Sequence, residues 1–297
     1  MTDDADLAAL FAEPFRLAWP DDPRVPFVFA SPHSGRHYPQ SFVARSRLGP
    51  LSLRRSEDAF VDGLFAHVLA LGAPLIAARF PRAYCDVNRS PAELDAAMFD
   101  GRLPGAVDTT SPRVNAGLGV IPRIVRDGAE IYRDKLPWRE AEERLSKLYR
   151  PYHAALTKLI EMTHARHGVA VLIDCHSMPS AAAVPDIVLG DRYGMSASPL
   201  LMRYAERVFE ARGFSVARNA PYAGGYTTHL HGRPLRGVHA LQIEINRALY
   251  LDEERVEPAP RFEKFRASLE DAIGELTAID RALLMPSGAR DMPLAAE

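Results

Sequence analysis

Cysteine is almost missing from this 297-residue chain: Cys85 and Cys175 are the whole supply. Two thiols make no disulfide framework, and each sits in an apolar strand-like run, so both are read as buried and reduced. Lysine is nearly as scarce, with Lys135, Lys147, Lys158 and Lys264 the only ones, and the formal net charge is −2. That balance gives no basic field for nucleic acid and no cationic surface for a membrane. No apolar run approaches the ~20 residues that span a bilayer. The acidic start MTDDADLAALFAEPF lacks the basic stretch and apolar core of a secretory leader. A cytoplasmic location is therefore the expectation. Also lacking are internal repeats, low-complexity tracts and an HExxH motif, and the position three after His33 is Arg36, so a short HxxE pairing is missing too.

What is present is an ordinary globular composition, 47% apolar and 25% charged. The length allows one large α/β domain or two small ones. With no convincing linker, the expectation is a single domain over 21–285, a lead-in over 1–20 and a loose tail over 286–297. Positive charge carried by arginine suits recognition of carboxylates. Strands are predicted at Pro26–Ser31, Pro74–Ala78, Ala83–Val87, Val169–Asp174, Ile187–Leu189, Phe214–Ala217 and His239–Ile245. Helices are predicted over Ser56–Leu71, with Ser56 as N-cap, over Leu136–Arg166 with Pro151 kinking or dividing it, near Pro199–Arg212, and over 260–284. Residues 90–130, rich in Gly, Pro and Thr, read as a covering loop for a site. Strands alternating with helices predict a three-layer α/β sandwich around a mixed, mostly parallel sheet.

Two buried-looking strands end in histidines among turn residues, Ser31-Pro32-His33-Ser34-Gly35 and Asp174-Cys175-His176-Ser177-Met178-Pro179. Ligands of α/β sheets bind beyond the carboxyl ends of strands, and neutral imidazole is a common zinc ligand. His33 and His176 together point to a metal site. A third ligand has to come from elsewhere, and Glu57 or Asp58 is the nearest choice, unless their role is only to offset a helix dipole.

Glu244 lies between two isoleucines in the apolar run VHALQIEIN. A carboxylate there needs a partner, such as Arg247 or Arg89, or a function, such as moving the proton of a metal-activated water. Arg82 and Arg89, the latter beside Asn88, could hold a substrate carboxylate through paired hydrogen bonds. In Gly224-Gly225-Tyr226-Thr227-Thr228-His229, the glycines allow close backbone approach, and His229 could donate to a developing oxyanion.

Taken in order, SPHSG (31–35), SEDAFVDGLF (56–65), FPRAYCDVNRSP (80–91), LIDCHSMPS (172–180), DIVLGDRYG (186–194), GGYTTHLHG (224–232) and ALQIEINRALY (240–250) resemble the N-formylglutamate amidohydrolase family. The resemblance implies a fold distantly like zinc carboxypeptidases and aspartoacylases. It also implies one zinc ion held by His33, Asp58 and His176, with Glu244 as general base and Asn88, Arg89 and Arg82 facing substrate carboxylates. Asp58 is preferred to Glu57 because it matches the acidic position ahead of the V-D-x-L-F segment. The implied reaction is zinc-dependent hydrolysis of a small acidic N-acyl amino acid such as N-formylglutamate. Another N-acyl amino acid, a short peptide with a free carboxylate, or a metal-retaining protein without catalysis are the alternatives.

Overall fold

Two nine-residue strands, Ala170–Met178 and Val238–Asn246, run parallel and in register from end to end, and they form the middle of the main sheet. In a strand successive side chains face opposite sides, so a sheet covered on both faces needs apolar residues at every position. The sequence runs AVLI and VHAL supply most of them. We label the main-sheet strands β1 (Phe15–Ala18), β2 (Phe27–Ser31), β3 (Leu75–Ala78), β4 (Ala170–Met178), β5 (Ile187–Gly190), β6 (Val216–Arg218) and β7 (Val238–Asn246). Their order is β1-β3-β2-β4-β7-β5-β6. The pairs β3/β2, β2/β4, β4/β7 and β5/β6 are parallel, whereas β1/β3 and β5/β7 are antiparallel. This is the mixed, mostly parallel sheet that the sequence predicts. The computed structural model describes residues 2–101, 107–108, 110–125, 128–181 and 183–286. All but the first residue of the expected tail 286–297 lie outside them.

Helices cover both faces. Against Val28, Ala30, Ala170, Leu172 and Ala240 packs the long helix Arg150–His167, through Tyr152, Leu156, Leu159 and Ile160. The opposite face carries Phe27, Phe29, Val171, Ile173, Leu241 and Ile243, and it is covered by the helices Pro199–Glu210 and Phe262–Thr277. Pro151 does not break the long helix. Proline has no N–H for the carbonyl one turn back and crowds it, and the backbone answers by widening Leu145–Tyr149 into a π turn between two α segments.

Three sequence expectations need correction. The stretch 1–20 is more than a lead-in, because β1 is the edge strand of the main sheet, paired with β3. The helix expected from Ser56 starts only at Val61, behind Phe60 at φ 63°, and Ser56 is not its N-cap. The reason is local: the Asp58 N–H is tied to the carbonyl of His33 at 3.0 Å, and the left-handed Phe60 interrupts the helical path before Val61. Ala83–Val87 is a series of turns, since Tyr84 N–H and Cys85 N–H both fold back onto the Pro81 carbonyl and Asp86 N–H reaches Val120.

Candidate active site

The alternation that buries apolar residues along β4 and β7 continues into their carboxyl halves with different chemistry. Asp174 and His176 follow Ala170 and Leu172 on one face, and the register sets them beside Gln242 and Glu244. His33 comes from the loop that follows β2, the other neighbour of β4. Asp58 comes from the irregular segment before Val61, held against this loop by its own backbone bond to His33.

These elements bring His33, Asp58 and His176 together, with one possible ligand atom from each and all such atoms within 4.8 Å of one another. Asp58 Oδ2 stands 3.4 Å from His33 Nδ1 and 2.9 Å from His176 Nδ1. The far nitrogen of each ring meets a second carboxylate: His33 Nε2 is 2.7 Å from Asp86 Oδ1, and His176 Nε2 is 3.1 Å from Asp174 Oδ2. A ring that donates Nε2–H to a carboxylate presents the Nδ1 lone pair to the shared centre, the usual support of a metal-bound imidazole. Asp58 is braced in turn by Arg247, whose Nη2 donates to Oδ1 at 3.1 Å. His33 Nδ1 is buried and has no hydrogen-bond partner among the described residues, and an orphaned nitrogen facing a carboxylate and a second imidazole fits a cation.

Charge accounts for the titration of the cluster. Burial alone would raise the Asp58 carboxyl, but the hydrogen bond from His176 and the neighbouring His33 ring outweigh it and hold Asp58 well below the usual range. Asp86 is held low against burial by Arg82, His33 and Arg89. Glu244 goes the other way: burial pushes it up to about 7, with Asp58 adding to the rise and His176 and Arg82 opposing it. A carboxyl group so placed can hold a proton and give it up near neutral pH.

Glu57 is not the third member of the cluster. It accepts from Tyr38 Oη at 2.8 Å and from Arg54 Nε at 3.0 Å, turned away from the histidines. Arg247, weighed from sequence only as a partner for Glu244, serves Asp58, while Glu244 Oε1 accepts from Gln242 at 2.9 Å. A cleft of about 240 Å³ reaches the cluster at Asp58, with Glu244, Arg82 and Arg89 also in its wall. Leu118, Pro122 and Ile124 add an apolar side, so the described part of the 90–130 stretch does border the site; residues 102–106, 109 and 126–127 of it lie outside the described residues. A hollow of about 270 Å³ nearby shares Arg55 and Arg247 but has neither Asp58 nor Glu244 in its lining.

Two proposed contacts do not reach the cleft. Asn88 is buried and spent within the protein: Nδ2 donates to Asp174 Oδ2 at 3.2 Å, and Oδ1 accepts from Thr227 N–H at 2.8 Å. It orients the support of His176 and is in no position to meet a substrate carboxylate. His229 is exposed on the short helix Tyr226–His231 and is not among the residues that line the cleft, because the helix turns its buried face, Thr227, Thr228 and His231, inward. Sequence reasoning also gave no role to Asp86, Asp174 or Gln242. The signal was available for Asp174 and Gln242, since each lies two residues before a site residue on a buried strand and so shares its face; Asp86 sits in a turn, where no periodicity marks it.

The sequence model of the N-formylglutamate amidohydrolase family matches residues 25–251. An N-formylglutamate deformylase of Pseudomonas aeruginosa is 29% identical over 241 residues, covering 78% of this chain and 84% of its own length. One from Pseudomonas putida is 28% identical over 242 residues, covering 77% and 83%. The crystal structure of N-formylglutamate amidohydrolase from Ralstonia eutropha superposes with a TM-score of 0.83 at 37% identity, covering 89% of this chain and 98% of that one. A protein of Agrobacterium tumefaciens shares the fold, with a TM-score of 0.63 at 20% identity, covering 92% of this chain and 97% of that one. This chain belongs to the N-formylglutamate amidohydrolase family, and it is an enzyme that acts on an amide.

Proposed function

We propose that this member of the family hydrolyses the N-acyl amide of an acidic amino acid, with N-formylglutamate as the first substrate to test. The observation that carries the reading is the meeting of His33, Asp58 and His176 beside a cleft whose wall holds Glu244 and two arginines. The names of its relatives supply the formyl group and the glutamate.

His33 Nδ1, His176 Nδ1 and Asp58 Oδ2 would hold the metal, zinc by the character of the donors. Once bound, the ion supplies Lewis acidity, making water easier to deprotonate and an acyl carbonyl easier to attack. The residues of the chain do the rest. Arg82 and Arg89 bind the carboxylates of the substrate. Arg82 stays charged beside Asp86, 2.8 Å from Nη2, and Arg89 spends Nε and Nη1 on the carbonyls of Leu118 and Asn88, which keeps Nη2 for a ligand. Glu244 takes a proton from the attacking water, the oxygen adds to the acyl carbon, and Glu244 returns the proton to the departing nitrogen. The products are formate and the free amino acid, and water is the only co-reactant.

Elemental analysis and turnover, before and after chelation, test the metal. The Glu244→Gln protein tests the base: it should keep its metal and lose turnover by on the order of 10²–10⁴-fold. Full turnover in that variant would remove Glu244 from the mechanism. A panel of formyl, acetyl and succinyl derivatives of Glu, Gln and Asp reads the substrate, and a preference for any other member over N-formylglutamate would overturn that choice.

A further inference from the structure

The reading above needs one oxygen of Glu244 to face water at a fixed place, yet a glutamate has three rotatable bonds and the strand supplies no constraint on them. The structure contains a device that does. Gln242 and Glu244 sit two apart on β7 and share a face. The Gln242 side chain is buried and is absent from the lining of the cleft. Its Oε1 accepts the backbone N–H of Gly225 at 2.9 Å, and its Nε2 donates to Glu244 Oε1 at 2.9 Å.

The direction of this chain of bonds is not arbitrary. A backbone N–H can only donate, so the oxygen of the amide has to face Gly225 and the NH₂ has to face the carboxylate. The flipped amide would set donor against donor and acceptor against acceptor. Position 225 is itself confined, since a Cβ there would meet the Asn88 amide at 2.3 Å. Glycine lets the backbone pass between Asn88 and Gln242, close enough to bond the latter.

We propose that Gln242 is a positioning residue for Glu244. It pins Oε1 from behind, so that Oε2 is the oxygen presented to water. The same loop segment braces the other half of the site, because Thr227 N–H holds Asn88 Oδ1 and Asn88 holds Asp174, the partner of His176. Segment 224–227 thus sets the proton-transfer group and one imidazole against a single backbone reference. The inference rests on the reading of Glu244 as the group that moves the proton.

Two variants separate aiming from anchoring. Gln242→Glu keeps shape and an oxygen for Gly225 N–H, and its carboxyl can donate to Glu244 only while it holds a proton, so kcat is compared at about pH 9, where that donor is gone. Gln242→Leu removes both bonds. If Gln242 aims Glu244, both variants lose kcat by on the order of 10- to 100-fold, with KM within about twofold of the parent, since the arginines are untouched. Metal content by elemental analysis stays at that of the parent in each. If Gln242 only anchors the loop, Gln242→Glu retains kcat while Gln242→Leu loses it or raises KM, and the proposal is overturned. Full kcat in both overturns it as well. Should Gln242→Leu fail to fold, Gln242→Glu alone decides by the same kcat criterion. Glu244→Gln in the same assay keeps the two ideas apart: an inactive Glu244→Gln beside a fully active Gln242→Glu ends the positioning role and spares the base, whereas an active Glu244→Gln ends both.

Discussion

The two halves of β4 and β7 are equally buried and built from opposite materials. Ala170–Ile173 and Ala240–Leu241 are apolar and have no exposed surface. One to three residues further along, Asp174, His176, Gln242 and Glu244 are at most 8% exposed, and each is polar or ionisable. Burying a methylene stabilises the fold, while burying a carboxylate costs several kcal/mol unless partners compensate. The apolar half therefore sets the stability of the sheet, and the polar half is a cost offset by Asn88, Asp58 and the Gly225 N–H. What the contrast teaches is that substitutions in the two halves should fail by different routes.

The largest divergence should come from Leu172→Ala against His176→Ala, four residues apart on one face. Truncating Leu172 leaves a cavity under the helix Arg150–His167 and should cost about 2–5 kcal/mol, a fall in Tm of roughly 3–8 °C, with metal content unchanged. Truncating His176 should remove the metal and cut turnover by at least on the order of 10³-fold. Thermal unfolding and elemental analysis on both proteins read the difference. Metal loss from Leu172→Ala, or a metal-loaded and active His176→Ala, would erase the distinction between the halves.

The same contrast explains what the sequence could and could not reveal. Hydrophobic runs marked β2, β3, β4 and β7, because a sheet covered on both faces leaves an unbroken apolar signature. They also misled: Ala83–Val87 is as buried as a strand, but Pro81 lies just ahead of it and its backbone bonds turn inward on Pro81 and Val120. His33, His176 and Glu244 stood out as polar residues at apolar strand ends, and the structure brings all three to one place. Asp58 was separable from Glu57 only through resemblance, as both are acidic neighbours and the choice depends on which side chain turns toward the rings. Asn88 and His229 were misplaced for a common reason. A motif shows that a residue matters, and burial decides whether it meets a ligand or another side chain.

A smaller effect should follow from Asp86→Asn. Asp86 touches no ligand atom of the proposed centre; it receives His33 Nε2–H, the Asn88 N–H and Arg82. An amide of the same shape cannot match the carboxylate's pull on the imidazole, and it can present its NH₂ to a ring that needs an acceptor. Loss of such a partner weakens metal binding by about 10- to 100-fold. Competition with a chelator of known affinity measures this directly. An unchanged affinity would mean that the His33 ring is oriented by packing alone.

The smallest expected effect is that of pH on the intact enzyme, and its sign follows from Glu244. In the proposed role the group must be deprotonated to take a proton from water, and burial pushes it up to about 7. A dication beside it favours the charged form, so the acid limb of kcat in the loaded enzyme should lie below about 7. Activity is then full above that limb and falls tenfold for each pH unit beneath it, which limits the loss at pH 6 to about tenfold. Because Asp58 adds to the rise in Glu244, Asp58→Asn, reloaded with metal at high concentration, should move the limb further down rather than up. A limb that rises in this variant would show that the neighbouring carboxylate does not reach Glu244 through the low-dielectric half of the strand pair.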